Sequence, residues 1–355
     1  MDQPPLNPKQ KFSLPFGILG ASVSNDGSTM IAACMDGVYL VNINEESAGK
    51  IGQHSSYASS AAFLPKQNRA VSAGYDGVLQ WFDLATETSA RQIRLHDFWS
   101  WDMAVSPDES LIASVTGQYL SGNYKYEPQP EREPSVIVIA ADTGEVLHRL
   151  PHVPSVQAVT FSPDSRFVAA GNLMGEVRVW DCRSGELAAM WTTSGFTSWG
   201  IVKSHCYLGG IFAMKFTPDG SQLLLCGMGP MRDPMAGNGR QLWEKWAWPQ
   251  SPPHKVDETH QEESGQGLME TLAIHPDGER FVMGGRLTGG AWNVAMFDLK
   301  SGDRIAHLKT GCRVTEVMFT ADGMQLVLVG AKSQPEKKKD GAFPDFGRVE
   351  VFELG

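Results

Sequence analysis

The stretch FSPDSRFVAAGNLMGEVRVWDCRSGE, from Phe161 to Glu186, carries a Pro-Asp turn, two alternating apolar runs and a Trp-Asp pair at the end of the second. Period-two alternation marks half-buried strands, and Pro-Asp and Ser-Gly pairs mark the turns that join them. Whether this stretch is unique or repeated decides the architecture, because self-similarity at a fixed period specifies a whole class of folds.

It is repeated. The pattern apolar-x-x-apolar-x-apolar, one residue, then Pro-Asp or a substitute occurs seven times. The copies are Ile18, Ala21 and Val23 before Asn25-Asp26; Ala58, Ala61 and Phe63 before Pro65; and Met103 and Val105 before Pro107-Asp108, with Ser100 in the first slot. Val156, Val159 and Phe161 precede Pro163-Asp164, and Ile211, Met214 and Phe216 precede Pro218-Asp219. Met269, Leu272 and Ile274 precede Pro276-Asp277, and Val314, Val317 and Phe319 precede Ala321-Asp322. The turns at 25, 65, 107, 163, 218, 276 and 321 lie 40, 42, 56, 55, 58 and 45 residues apart, a unit of about 40 to 45 residues with insertions.

A second apolar run follows each turn, as in TMIAAC, RAVSAG and RFVMGG, and a third follows that, as in GVYLVNI, GVLQWFD and WNVAMFD, with RQLWEKW the least regular. Short strands at even spacing, with no helical period between them, predict an all-β repeat fold and argue against βαβ units. A unit of this size cannot bury a core alone, so each must stack on the next, and closure into a ring protects the strand edges.

The segment VQAVTFSPDSRFVAAGNLMGEVRVWDCRSGEL resembles a WD-repeat (WD40) blade. The seven units together resemble a seven-bladed WD-repeat β-propeller with degenerate repeats, a single domain over residues 1–355. The resemblance implies four antiparallel strands per blade: inner strand a, then b, then c ending in Trp-Asp, then outer strand d. The Trp-Asp slot aligns with Val41-Asn42, Phe82-Asp83, Ile139-Ala140, Trp180-Asp181, Trp243-Glu244, Phe297-Asp298 and Phe352-Glu353, so one blade has the full pair. The family also implies a His before strand a and an Asp in the b–c turn, joined through a hydroxyl to the Trp. Asp36 and Asp76 match the Asp, His54, His96 and His152 lie near the His slot, and no blade combines every member. The seventh unit ends after strand c, and the resemblance implies that an N-terminal strand at about residues 10–16 completes that blade and closes the ring.

The 355 residues are 42% hydrophobic and carry a formal net charge of -10. Binding by phosphate neutralisation needs clustered Lys and Arg, so nucleic acid is not an expected partner. The one basic run, Lys337 to Lys339, is flanked by Glu336 and Asp340 and is expected to be a solvated loop. Five scattered cysteines with no C-x-x-C pair are expected to be reduced thiols. The start lacks the basic and apolar regions of a signal peptide and no apolar run is long enough to cross a bilayer, so no membrane contact and a cytoplasmic location are expected.

Insertions fall between strands b and c at 117–134, 228–239, 286–291 and 331–347, and between d and the next a at 193–209 and 249–267. In a propeller these loops emerge at one end, while the a–b turns at the other end stay tight. Loops on a rigid scaffold carry binding residues, and aromatics anchor such patches. Tyr119, Tyr124, Tyr126, Phe196, Trp199, Tyr207, Phe343 and Phe346 lie in these loops and Trp292 at an edge; they either bind a partner or fold in as a self-packed lid. At the channel mouth the sequence places His96, Trp99, Trp101 and Asp102, with Glu270 and Glu316 at similar depth.

No set of three ligands has metal-site spacing, and no G-x-S-x-G elbow, P-loop or dinucleotide fingerprint occurs in a suitable setting. No cofactor, metal or catalytic residue is therefore expected. The expected function is a non-catalytic scaffold, monomeric on its own, that binds a protein or peptide through the loop-bearing face. The alternative is a propeller enzyme of lactonase-like or quinoprotein-like type, or a small-ligand or metal binder, using His96, Asp102, Glu270 and Glu316.

Overall fold

The computed structural model describes residues 7–117, 134–153, 155–196, 210–233, 238–260, 267–287, 290–333, 336–338 and 343–354. Strand β1 (Gln10–Leu14) comes first. The first blade follows as β2 (Ile18–Val23), β3 (Thr29–Cys34), β4 (Gly37–Asn42) and β5 (Ser47–Gly52), and the second as β6 (Ala58–Leu64), β7 (Arg69–Gly74), β8 (Val78–Asp83) and β9 (Thr88–Arg94). The third comprises β10 (Asp102–Val105), β11 (Leu111–Val115), β12 (Val136–Ala140) and β13 (Val146–Leu150); the fourth β14 (Val156–Phe161), β15 (Phe167–Asn172), β16 (Glu176–Asp181) and β17 (Leu187–Thr192). The fifth comprises β18 (Gly210–Phe216), β19 (Leu223–Asp233), β20 (Asn238–Ala247) and β21 (His254–Glu258); the sixth β22 (Gly267–Ile274), β23 (Arg280–Leu287), β24 (Val294–Asp298) and β25 (Arg304–Leu308). The chain finishes with β26 (Arg313–Phe319), β27 (Gln325–Ala331) and β28 (Gly347–Glu353). Among the described residues no helix is long and apolar enough to cross a membrane.

Each blade is a four-stranded antiparallel sheet; six run a-b-c-d in chain order and the seventh is β1-β28-β27-β26. Strand a of every blade packs on strand a of the next, β2 on β6, β6 on β10 and so on until β26 meets β2, so the sheets form a closed ring with strand a at its axis. The expected all-β, seven-bladed propeller is the fold observed.

The two-residue gap in apolar-x-x-apolar has a structural cause. In six of the seven inner strands the a–b register shifts within that gap, between Ile18 and Gly20, Ala58 and Ser60, Val156 and Ala158, Ile211 and Ala213, Met269 and Thr271, and Val314 and Glu316. A bulge adds one unpaired residue, so apolar side chains either side of it return to the same face only after a step of three.

The core lies between blades. Trp180 is buried among Val115, Val136 and Val138 of the preceding blade and Val168 of its own, so the Trp-Asp slot is an interblade position. One expected slot needs correction. In blade five Phe216 pairs with Leu223 and Leu223 with Trp246, the register that elsewhere links Phe161, Val168 and Trp180, so Trp246-Ala247 fills the slot and not Trp243-Glu244. Trp243 sits three residues earlier, on the opposite face, against Phe281 and Phe297 of blade six. The b–c insertion at 228–239 is likewise no simple loop, since β19 and β20 extend into it.

Ring closure is as expected, over Gln10–Leu14. β1 pairs antiparallel with β28, Phe12 opposite Val349, and buries Phe12 and Leu14. Lys11 reaches Glu350 at 3.0 Å and Lys9 pairs with Glu353.

Five a–b turns share one cap. Ser24, Ser106, Ser162, Thr217 and Thr320 each donate a hydroxyl at 2.6 Å to the Asp two residues on: Asp26, Asp108, Asp164, Asp219 and Asp322. The same hydroxyl oxygen accepts the first amide of strand b, as in Phe167 N to Ser162 Oγ at 2.9 Å. Blade six substitutes a His275–Asp277 pair, and blade two a short 3-10 turn, Pro65–Gln67, ended by Asn68 in the left-handed region.

Candidate functional site

Strand alternation puts the b–c turns and d–a segments at one end of the ring, and the site is built there from blades two and three. In blade two the Gly74 carbonyl accepts amides from Gly77 of its own b–c turn and from Ser100 of the following d–a segment, so the two loops are tied together. Gly77 has φ +71, and a Cβ there would meet the His96 carbonyl oxygen at 2.2 Å, so only glycine allows this approach. Tyr75 donates its amide to the Tyr57 carbonyl, Thr116 Oγ1 donates to the Trp99 carbonyl at 2.7 Å, and Trp101 Nε1 donates to the Gly117 carbonyl at 3.0 Å.

The result is a fixed aromatic cluster. Trp99 stacks on Tyr75 at 4.7 Å and on Phe98 at 5.2 Å, both nearly parallel, while Trp101 meets Tyr75 and Trp99 edge-on at 5.5 and 5.2 Å. Tyr57 leans on Tyr75 from the other side at 6.1 Å. Trp99 is 40% and Tyr57 47% exposed.

Across the mouth, Glu270 binds two guanidiniums: Arg313 in a forked pair at 2.5 to 2.9 Å and Arg286 at 2.7 Å. The carboxylate is buried and both arginines keep exposed surface. Burial raises the Tyr75 hydroxyl pKa, and the charges of Arg313, Glu270 and Arg286 act on it in opposed directions.

Deeper in the channel, Asp102 accepts the Val159 amide of the next blade at 3.0 Å and Glu316 accepts the Thr271 hydroxyl at 2.9 Å. Thr271 in turn accepts the Val317 amide at 3.1 Å, so these side chains lace neighbouring inner strands together. Burial raises Asp102 to about 6, against the Val159 and Met103 amides and Lys215, and raises Glu316 to about 7, with Lys215 opposing and Asp102 adding to the shift. His96 turns away to Ser114 at 2.9 Å, with Ser100 on the same hydroxyl at 2.8 Å, and burial lowers it to about 3. His96, Asp102, Glu270 and Glu316 are thus each engaged by a different partner. Among the described residues no three His, Cys, Asp or Glu side chains gather to hold a metal ion.

Of the loop aromatics, Tyr119, Tyr124, Tyr126, Trp199 and Tyr207 lie outside the described residues. Phe196, Trp292 and Phe346 are buried. Trp292 packs on Phe297 with the Arg304 guanidinium over its ring, and Phe346 lies edge-on to Phe16 and Phe343. These three are packed against the body of the ring, as in the self-packed alternative. Sequence reasoning had Trp99 and Trp101 in place but missed Tyr57, Tyr75, Phe98, Arg286 and Arg313. The available signals were a Tyr three residues after His54 and a Tyr-Asp-Gly b–c turn, each at the same end as Trp99.

Blade two holds most of the family's buried polar network. His54 Nδ1 meets Asp76 at 2.9 Å and Nε2 meets Ser72 Oγ at 2.8 Å, while Phe82 occupies the Trp slot and ends the chain of bonds. Residues 144–181 match the family described as WD domain, G-beta repeat, a stretch running from the end of blade three to Trp180-Asp181. A 75-residue segment, 21% of the chain, is 36% identical to Actin-interacting protein 1 of Drosophila melanogaster and spans 10% of that protein's length. WD-repeat propellers typically mediate protein–protein interactions. One blade thus matches the WD repeat, and seven four-stranded blades close one ring, the architecture of a seven-bladed β-propeller similar to the WD-repeat propellers.

Proposed function

We propose that the chain is a non-catalytic scaffold, one domain over residues 1–355 acting in the cytoplasm, that binds a protein or peptide at the b–c and d–a end. The observation that carries this reading is the Trp99 stack: rings held in place by hydrogen bonds beneath them, yet left open to solvent. Rigid aromatics lose little entropy on binding and dominate interface energetics. The Arg286 and Arg313 guanidiniums opposite supply polar contacts at the rim of the same mouth. A net charge of -10 disfavours nucleic acid and anionic membrane surfaces as partners.

Affinity capture from native lysate, wild type against a Trp99→Ala/Tyr57→Ala variant, tests the proposal. A protein retained by the first and lost by the second, with melting temperature preserved, supports it; identical captures, or none, refute it. The Drosophila relative is named for interacting with actin, so filamentous actin belongs in the assay as a defined arm.

A further inference from the structure

The chemistry of the mouth is set by which residues share one level of the ring. In blade six Leu268 pairs with Arg286, and in blade seven Arg313 pairs with Ala331; each is the a–b pair just before the first apolar residue of the inner strand, Met269 or Val314. Blade two has Tyr57 and Tyr75 at that level, joined through the Tyr75 amide, and blade three has Trp99. Blade one, which separates blade seven from blade two around the ring, has Gly17 and Met35 there. Guanidiniums and aromatic rings thus stand at one height around one opening.

Ring geometry decides which sign of charge suits that opening. Aromatic clusters attract cations through their ring faces, where the π quadrupole is negative. Trp99 has no face to give: Tyr75 lies parallel to it at 4.7 Å and Phe98 at 5.2 Å, and these two make no ring contact with each other, so they cover its two sides. The indole surface left to solvent is edge, which is electropositive and suits an acceptor oxygen.

The arginines agree with the rings. Glu270 is one carboxylate between two guanidiniums, which leaves the cluster net positive. It takes Arg286 by Nε alone and Arg313 by Nε and Nη2, so both terminal nitrogens of Arg286 and Nη1 of Arg313 meet no acceptor among the described residues. The two side chains are 50% and 35% exposed. Asp36, in the b–c turn of blade one, is already held by Lys50 and Tyr39. Planar guanidinium donors left free at an accessible site match a carboxylate.

We propose that the mouth is selective for an acidic segment of its protein partner. An Asp or Glu carboxylate of that segment accepts the free N–H groups of Arg286 and Arg313, and an apolar neighbour packs on the exposed surfaces of Trp99 and Tyr57. The proposal rests on the scaffold reading above and adds the chemistry of the partner. A basic segment would meet two guanidiniums and no open indole face, while the acidic residues elsewhere on the chain are screened beyond about 8 Å at physiological salt.

Selection of a phage-displayed library of random dodecapeptides on the full chain tests this. The expected consensus carries Asp or Glu beside an apolar residue. The best peptide, made synthetically, is expected to lose affinity about tenfold when its acidic residue is changed to the amide, a comparison that requires no change in the protein. Arg286→Gln leaves the forked Arg313–Glu270 pair in place, so it is expected to keep the melting temperature and to weaken the same peptide by a similar factor. A neutral or basic consensus that is lost in Trp99→Ala/Tyr57→Ala overturns the acidic selectivity and leaves the scaffold reading standing. An acidic consensus indifferent to Arg286→Gln overturns the selectivity as well. Peptides indifferent to both the aromatic and the arginine variants, or no consensus, overturn both readings.

Discussion

The two ends of the ring come from the same repeat and treat it differently. At the a–b and c–d end, five turns use one Ser/Thr-x-Asp cap, and Asp83, Asp181 and Asp298 each accept two or more backbone amides in their c–d turns. At the b–c and d–a end every blade differs: a His–Asp–Ser network in blade two, stacked rings between two and three, an extended hairpin in five, an Arg–Glu–Arg cluster between six and seven. The turn that joins strands a and b sets their relative height for interblade packing, and five of the seven blades meet that demand with the same cap, while blades two and six use a 3-10 turn and a His275–Asp277 pair. The loops at the other end lie outside that constraint and are free to vary.

Both ends depend on closure, and breaking it gives the largest expected effect. Removing residues 1–16 strips the partner of β28, exposes the Phe12 and Leu14 contacts and leaves Glu350 without Lys11. A loss above about 5 kcal/mol is expected, since each buried side chain alone is worth about 2 to 5, and denaturant unfolding measures it. An unchanged unfolding midpoint would mean that β1 does not hold the ring.

His54→Ala sharpens the contrast from the variable end. Burial lowers the His54 pKa, so the ring is neutral at pH 7; its Nδ1 proton goes to Asp76, and Nε2 accepts from Ser72. Removing it orphans the buried Ser72 hydroxyl and takes one donor from Asp76, which keeps the Ser55 and Val78 amides, with an expected cost of about 2 kcal/mol. The identical cost in a Ser72→Ala background would show that the three residues do not act as a unit.

Acid separates the channel from the turns by sign. Asp102 and Glu316 bind protons more tightly folded than unfolded, so their contribution is complete below about pH 4 and is lost as pH rises through about 6 to 7. The turn carboxylates behave oppositely: Ser106 and Ser110 hold Asp108 at about 2 against the pull of burial, so its contribution persists until pH falls below about 4. Stability is expected to peak near pH 4 and to fall by several kcal/mol toward pH 7.5, given about 1.4 kcal/mol per pKa unit and two carboxyls raised to about 6 and about 7. Asp102→Asn with Glu316→Gln should flatten that fall; a slope unchanged in the double variant refutes the assignment.

The repeat was legible because bulge, turn and interblade packing each leave a mark every unit: apolar-x-x-apolar, Pro-Asp, a large residue before Asp. The register of blade five was not, because RQLWEKWA offers Trp243 and Trp246 three apart, on opposite faces, and only pairing with Leu223 selects the second. The mouth was half legible. Trp99 and Trp101 could be placed from the d–a position, but Tyr57 and Tyr75 reach them through the ring's curvature, which no single unit encodes. Trp292 and Phe346 show the reverse limit, since a ring over a loop and a ring beneath it have the same sequence.

The smallest effect tests the uniform end most directly. Asp164 accepts the Ser162 hydroxyl at 2.6 Å and the Arg166 amide at 3.1 Å, and Asp219 makes the equivalent bonds to Thr217 and Ser221. Each Asp→Ala change removes a turn cap at the surface and is expected to cost about 1 kcal/mol. The two turns belong to different blades and share no hydrogen-bond partner, so the double variant should cost the sum within about 0.5 kcal/mol. Equal, additive costs by denaturant unfolding mean that each cap serves its own a–b hairpin and that the end is uniform because seven hairpins face the same local problem. A double cost well above the sum would mean that the caps cooperate around the ring, and the contrast would then be between two cooperative ends rather than between repetition and variation.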